Sequence, residues 1–167
     1  VTVSYCHLSS LDFIGNLNNL EGLAASHNPD LDLVDYQIIN SGNFPIIKFL
    51  YISGWDLNAD GTWDANDAFT GADWEAVLDI LDDFTGLRSL EISQFYISDT
   101  DFARLFDTGE VLNSCAGTLG SLFCAENELT GSSLSNITSL TALEYLALDS
   151  MTGITDISDL APMTTLE

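Results

Sequence analysis

The stretch ITSLTALEYLAL, residues 137–148, decides how the rest of the chain is read. Leucine or isoleucine falls every third residue at Ile137, Leu140, Leu143 and Leu146, and the stretch then closes on the alternation Leu146-Ala147-Leu148. Alternating apolar positions mark a half-buried strand. The block Leu143-Glu144-Tyr145-Leu146-Ala147-Leu148 has counterparts in Leu87-Arg88-Ser89-Leu90-Glu91-Ile92 and in Leu20-Glu21-Gly22-Leu23-Ala24-Ala25. Ile47 to Ile52, Leu119 to Cys124 and the opening Val1-Thr2-Val3 share the same phase. Counted from Val1, Leu23, Leu50, Leu90, Leu122 and Leu146, the steps are 22, 27, 40, 32 and 24 residues. Upstream of a strand the three-residue spacing recurs, as in Leu11, Ile14, Leu17, Leu20 and Leu23.

Such self-similarity predicts a stacked repeat. One unit has too little apolar area to stand alone, so units stack and share a continuous core. Each contributes one short strand to a parallel sheet, with Leu23/Ala25, Leu50/Ile52, Leu90/Ile92, Leu122/Cys124 and Leu146/Leu148 pointing inward. The six in-phase copies resemble the leucine-rich repeat family over nearly the whole chain, and ITDISDL (154–160) is similar to internalin-type bacterial surface proteins and to intracellular phosphatase regulators. The resemblance implies an α/β leucine-rich repeat solenoid over 1–167, with a parallel sheet on its concave face and an irregular or helical convex side. It also implies an Asn at the bend after each strand. That column reads Cys6, Asn28, Trp55, Phe95, Asn127 and Met151, so the Asn ladder is broken and the bends are expected to be held partly by apolar packing.

With 46% hydrophobic residues in 167, the chain can bury a core of one-domain size. Lys48, Arg88 and Arg104 alone oppose 26 carboxylates, for a formal net charge of -23. That balance disfavours nucleic acid and anionic lipid and favours divalent cations. No apolar run approaches the roughly 18 to 20 residues that span a bilayer. The chain opens on VTVSYCHL with neither Met nor a signal peptide, and is expected to be processed or a piece of a longer solenoid or array.

The longest step holds DLNADGTWDAND, residues 56–67. Asp56, Asn58 and Asp60 stand at positions one, three and five of an EF-hand loop, followed by Gly61 for the sharp turn. Thr62 supplies a backbone carbonyl, Trp63 the apolar eighth position, Asp64 the ninth and Asp67 the twelfth. Calcium takes six to eight oxygens, and this spacing aims them inward from one tight loop. Asp rather than Glu at position twelve resembles the dockerin-type loop, although a dockerin pairs two such loops and only one is present. An amphipathic helix follows, with Trp74, Val77, Leu78 and Leu81 on one face, so a calcium-loop-plus-helix insertion is expected at about 56–84. A second acidic stretch, Asn28, Asp30, Asp32 and Asp35, lacks the glycine and is read as a solvated face.

Residues between the inward pairs are expected to be exposed. One column carries Ser26, Ser53 and Ser93, and its neighbours carry Phe49, Tyr51, Phe123 and Tyr145. Aromatics and serines grouped on one face, with little charge on so acidic a chain, predict a contact surface. His7 and His27 lack accompanying zinc spacing, and no nucleophile elbow or phosphate loop occurs. Asn136-Ile137-Thr138 is a glycosylation sequon, Asn113-Ser114-Cys115 a weaker one, and both sit outside the strands. The expectation is a non-enzymatic, calcium-binding extracellular or cell-surface protein, a structural or adhesive element that assembles head to tail with copies of itself. The alternative is a recognition ectodomain that binds a surface protein or glycan.

Overall fold

The structure, a computed structural model, describes residues 1–53 other than Pro29, Asp32 and Ser41, then Leu78, Ile80, Leu81 and 84–167. Five short strands, β1 (Gly22–Ala24), β2 (Phe49–Ser53), β3 (Ser89–Ser93), β4 (Ser121–Phe123) and β5 (Tyr145–Ala147), form one parallel sheet in chain order. Helices α1 (Leu33–Tyr36), α2 (Asp99–Arg104), α3 (Val111–Ser114) and α4 (Leu134–Ile137) lie in the connections, making the protein α/β. Single 3-10 turns at 12–14, 131–133 and 158–160 occupy other returns. The expected first strand is reduced to one parallel bridge, Thr2 to Ala24, which continues the sheet's phase.

The register reproduces the phase of the leucines. Leu23 pairs with Leu50, Leu50 with Leu90, Leu90 with Leu122 and Leu122 with Leu146. These side chains alternate with an opposite face, as the period of a strand requires. Leu23, Ala25, Leu50, Ile52, Leu90, Ile92, Leu122 and Cys124 are buried, and the connections close over them with residues such as Leu11, Phe44, Leu87, Phe102, Leu119 and Leu140. Leu146 and Leu148, expected in the core, are only half-buried, because β5 is an edge strand of the sheet. Leu17 departs further at 38% exposure, while Leu11, Ile14 and Leu20 around it are buried. Leu78, Ile80 and Leu81 are helical and buried, Phe84 is buried, and the rest of the expected insertion lies outside the described residues.

Two asparagines tie successive bends together. Asn28 Oδ1 accepts the backbone N–H groups of Cys6 and Leu8 at 3.0 and 3.2 Å, and its amide donates to the carbonyls of Val3 and Ala25. Asn127 repeats the pattern three levels on: its Oδ1 accepts from Phe95 and Ile97 at 3.0 and 3.1 Å, and its amide donates to Ile92 and Cys124. Each Asn thus satisfies its own bend and the one before it, so the bends at Cys6 and Phe95 have side-chain hydrogen bonds although they lack an Asn, and Phe95 also packs in the core. A buried amide that meets both donors and acceptors in this way leaves no orphaned backbone group.

Just before each described bend the backbone turns left-handed. Tyr5, His27, Gln94, Glu126 and Ser150 all have φ between 56° and 64°. The turned N–H groups of Tyr5, Gln94 and Glu126 reach the carbonyls of Ser26, Ala125 and Asp149 on the next level. Left-handed backbone is unfavourable for non-glycine residues, so these interlevel bonds offset a local cost.

Substitution of Asn127 by Ala strands the Phe95 and Ile97 N–H groups inside the protein and is expected to cost about 2–4 kcal/mol. The same change at Asn28, whose bonds to the Cys6 and Leu8 N–H groups are only part-buried, is expected to cost less; urea unfolding followed by circular dichroism ranks the two. Ser150, exposed and left-handed, isolates the backbone term. Ser150→Val is expected to destabilise by about 1–2 kcal/mol and Ser150→Gly not at all.

Candidate functional site

The face of the sheet opposite the leucines carries the side chains that could meet a partner. Pairing puts Gly22, Phe49, Ser89, Ser121 and Tyr145 on one row, and Ala24, Tyr51, Glu91, Phe123 and Ala147 on the next. Aromatic residues therefore flank Glu91 on both sides. Gly22 makes room at one end, since a Cβ there would sit 3.3 Å from that of Phe49. Phe49 and Tyr145 are 40% and 51% exposed, while Tyr51 and Phe123 are half-buried between them.

The rings make contact across the sheet. Phe123 and Tyr145, on adjacent strands, have centroids 5.2 Å apart with a tilt of 39°. Tyr51 and Phe123 are two strands apart, a span of about 9.6 Å at the usual spacing. Their centroids nonetheless lie 6.0 Å apart in an edge-to-face arrangement. The two rings must lean towards each other over β3, the strand that carries Glu91. Tyr51 is pinned there by its hydroxyl, which donates to Ser89 Oγ at 2.9 Å.

The Glu91 carboxylate reaches the other way, towards the end of β1. Its Oε2 accepts a hydrogen bond from Ser26 Oγ at 2.9 Å. Burial pushes its carboxyl above the ordinary value, and the Ser26 hydrogen bond only partly offsets the shift. The expected exposure of the serine column is corrected: Ser26, Ser53 and Ser93 are all buried. Ser26 donates to Glu91, and Ser53 Oγ accepts the His27 N–H at 2.9 Å. Short polar side chains at strand ends find neighbours on the next level before they find solvent. Alternation alone assigned these serines an outward direction; it could not tell that larger residues would cover them.

The expected calcium loop, with Asp56, Asn58, Asp60, Thr62, Asp64 and Asp67, lies outside the described residues. Among the described residues no group of three or more His, Cys, Asp and Glu is arranged to hold a metal. In the second acidic stretch, Asn28 is buried and structural, and Asp30 lies 3.3 Å from His7 Nδ1. His27 stacks on Tyr5 at 4.3 Å, and burial first of all lowers its pKa. All three cysteines are free thiols. Cys115 and Cys124 are buried, Cys124 with its pKa pushed up to about 12 by burial, and Cys6 is exposed at the bend tied by Asn28. Asn136 lies in α4, where the Thr138 hydroxyl of its sequon donates to the Ser135 carbonyl. No described helix is long and apolar enough to cross a membrane.

A second polar constellation escaped the reading of the sequence. Asp99, at the start of α2, accepts from the backbone N–H and hydroxyl of Thr130 and from the hydroxyls of Ser132 and Ser133. One carboxylate thereby clamps the turn at 130–133 on the following level. The signal lay in the Thr130-Gly131-Ser132-Ser133 run, but its partner is some thirty positions upstream. Those residues meet only when the levels stack. The chain matches no protein-family model and no curated protein sequence.

Desolvation of Asp99 favours its neutral form, yet the hydrogen bonds from Ser133, Thr130 and Ser132 outweigh it and hold the pKa at about 2, below the usual 3.8. The clamp therefore contributes stability above pH 3.8 and loses it as pH falls through about 2. Asp99→Asn is expected to be less stable than the parent by about 1 kcal/mol at neutral pH. The two stability curves, from urea unfolding between pH 7 and about pH 2, should converge at the acid end.

Proposed function

We propose that this chain is a non-catalytic leucine-rich repeat scaffold that works outside the cell by contact, as a structural or adhesive element stiffened by calcium bound at 56–67. The observation that carries the reading is the register of the sheet, in which the recurring leucines stand in one row and free the other face for a broad, rigid surface. A surface of this kind suits recognition or adhesion better than chemistry, because its aromatic residues spread along strands instead of converging on a pocket. The calcium assignment rests on the spacing of six loop positions, and extracellular modules bind calcium at concentrations found outside cells.

Two readings of the contact differ in partner. Association with copies of itself is supported by apolar residues exposed on the segment outside β1, where Val1, Tyr5, Phe13 and Leu17 are each more than a third uncovered. Recognition of a different molecule is supported by Phe49 and Tyr145, which stand exposed on the sheet face. Native mass spectrometry with and without a chelator tests the proposal as a whole. The expected result is one calcium ion per chain, lost with chelator together with a fall in thermal midpoint of several degrees. A chain that carries no calcium at millimolar concentration, or whose stability ignores it, would remove the stiffening role. Concentration-dependent oligomers favour self-association, and a persistent monomer favours recognition.

A further inference from the structure

We infer that the starts of β3, β4 and β5 form a binding site for a neutral carbohydrate, with the Tyr145 ring as its platform and Arg88, Ser121 and Glu144 as its polar contacts. This rests on the recognition reading above and names the ligand class and the residues that read it. A hollow of about 470 Å³ opens here, lined by Arg88, Gly117, Gly120, Ser121 and Glu144 among others. Backbone bonds join three of these positions on successive levels: the Gly120 N–H donates to the Arg88 carbonyl and the Glu144 N–H to the Gly120 carbonyl, each at 2.9 Å. Arg88 and Glu144 therefore stand two strands apart, about 9.6 Å between backbones. Gly120 between them has no side chain to fill the gap. Both charged side chains are exposed, and neither makes a hydrogen bond or ion pair with a described residue.

The ring stands beside this hollow. Tyr145 is the register partner of Ser121 on the outward face, is 51% exposed, and holds its ring 5.2 Å from that of Phe123. The hydroxyls of Ser121 and Tyr145 are bonded to no described residue, so each can both donate and accept. A sugar presents a face of C–H groups that stacks on an aromatic ring and a rim of hydroxyls that donate and accept. Its hydroxyls would donate to Glu144 and accept from Arg88 and Ser121 while the C–H face covers Tyr145. Charge and size separate it from other occupants. A cation that reaches Glu144 meets Arg88 across the gap, and the Glu91 carboxylate is turned away towards β1. An anion that reaches Arg88 meets Glu144 and a net charge of -23. A stable protein interface covers about 800 Å² on each partner. The sheet face has five strands, three of them only three residues long, and measures about 19 by 10 Å.

The test uses the whole chain, labelled with ¹⁵N and titrated with neutral tetrasaccharides of glucose, N-acetylglucosamine, mannose and galactose, and separately with the zwitterion glycylglycine. The expected result is saturable shifts from one or more of the tetrasaccharides, confined to Arg88, Gly120, Ser121, Glu144, Tyr145 and their strand neighbours. Affinity should fall about tenfold in Glu144→Ala and in Arg88→Ala, the loss of a hydrogen bond to a charged group. Tyr145→Ala should weaken binding several-fold, and Asp159→Asn, an exposed carboxylate away from the sheet, should leave it unchanged. The spectrum of each variant reports whether it is folded. Sugar shifts elsewhere on the chain, or affinity unaltered in Glu144→Ala and Tyr145→Ala, overturn the inference. Glycylglycine shifts at Arg88 and Glu144 without sugar shifts overturn the carbohydrate assignment and leave the recognition reading standing. Diffusion measured in the same tube separates the remaining failures. A monomer that binds no probe overturns the inference alone, and concentration-dependent oligomers that bind none overturn the recognition reading with it.

Discussion

Strands of three residues have almost no stability of their own, and β1, β4 and β5 are no longer than that. They persist because Leu23, Leu50, Leu90, Leu122 and Leu146 fall at one register position, so that each strand packs its leucine against its neighbours', fully buried in all but the edge strand β5. A slip of one residue would turn every leucine to the opposite face and every aromatic into the core. The hydrophobic row thereby fixes the direction of all other side chains, including those that could meet a partner.

The polar groups of the bends follow from the same stacking. A chain that reverses after each short strand leaves N–H and C=O groups pointing along the sheet's edge, where buried ones must be paired. Asn28 and Asn127 supply the pairs for two levels each, and the left-handed residues Tyr5, Gln94 and Glu126 aim further N–H groups at the next level. Asp99 does similar work on the far side, where its carboxylate gathers the 130–133 turn. These ties all run between consecutive levels, which makes the stack cooperative along its length and keeps the outer face flat and fixed in place.

Rigidity of the face matters for what it can bind. Tyr51 cannot swing away from β3 without breaking its bond to Ser89, so its ring and that of Phe123 remain close over that strand. Glu91 is held in turn by its bond to Ser26, so the aromatic and the charged parts of the face keep fixed places.

Much of the fold was legible in the sequence. The phase of six blocks predicted the register of the sheet because a strand's period of two leaves only one way to bury every leucine. The outward placement of Phe49, Tyr51, Phe123 and Tyr145 followed from the same alternation. What alternation could not reach was coverage: Ser26, Ser53 and Ser93 proved buried, Leu17 and Leu146 less buried than expected. Burial depends on the size and lean of neighbours on adjoining levels, which sequence spacing does not encode. The bonds of Asn127 to Phe95, of Asp99 to Ser133 and of Glu91 to Ser26 were likewise decided only by tertiary structure, since they join residues dozens of positions apart that stacking alone brings within reach.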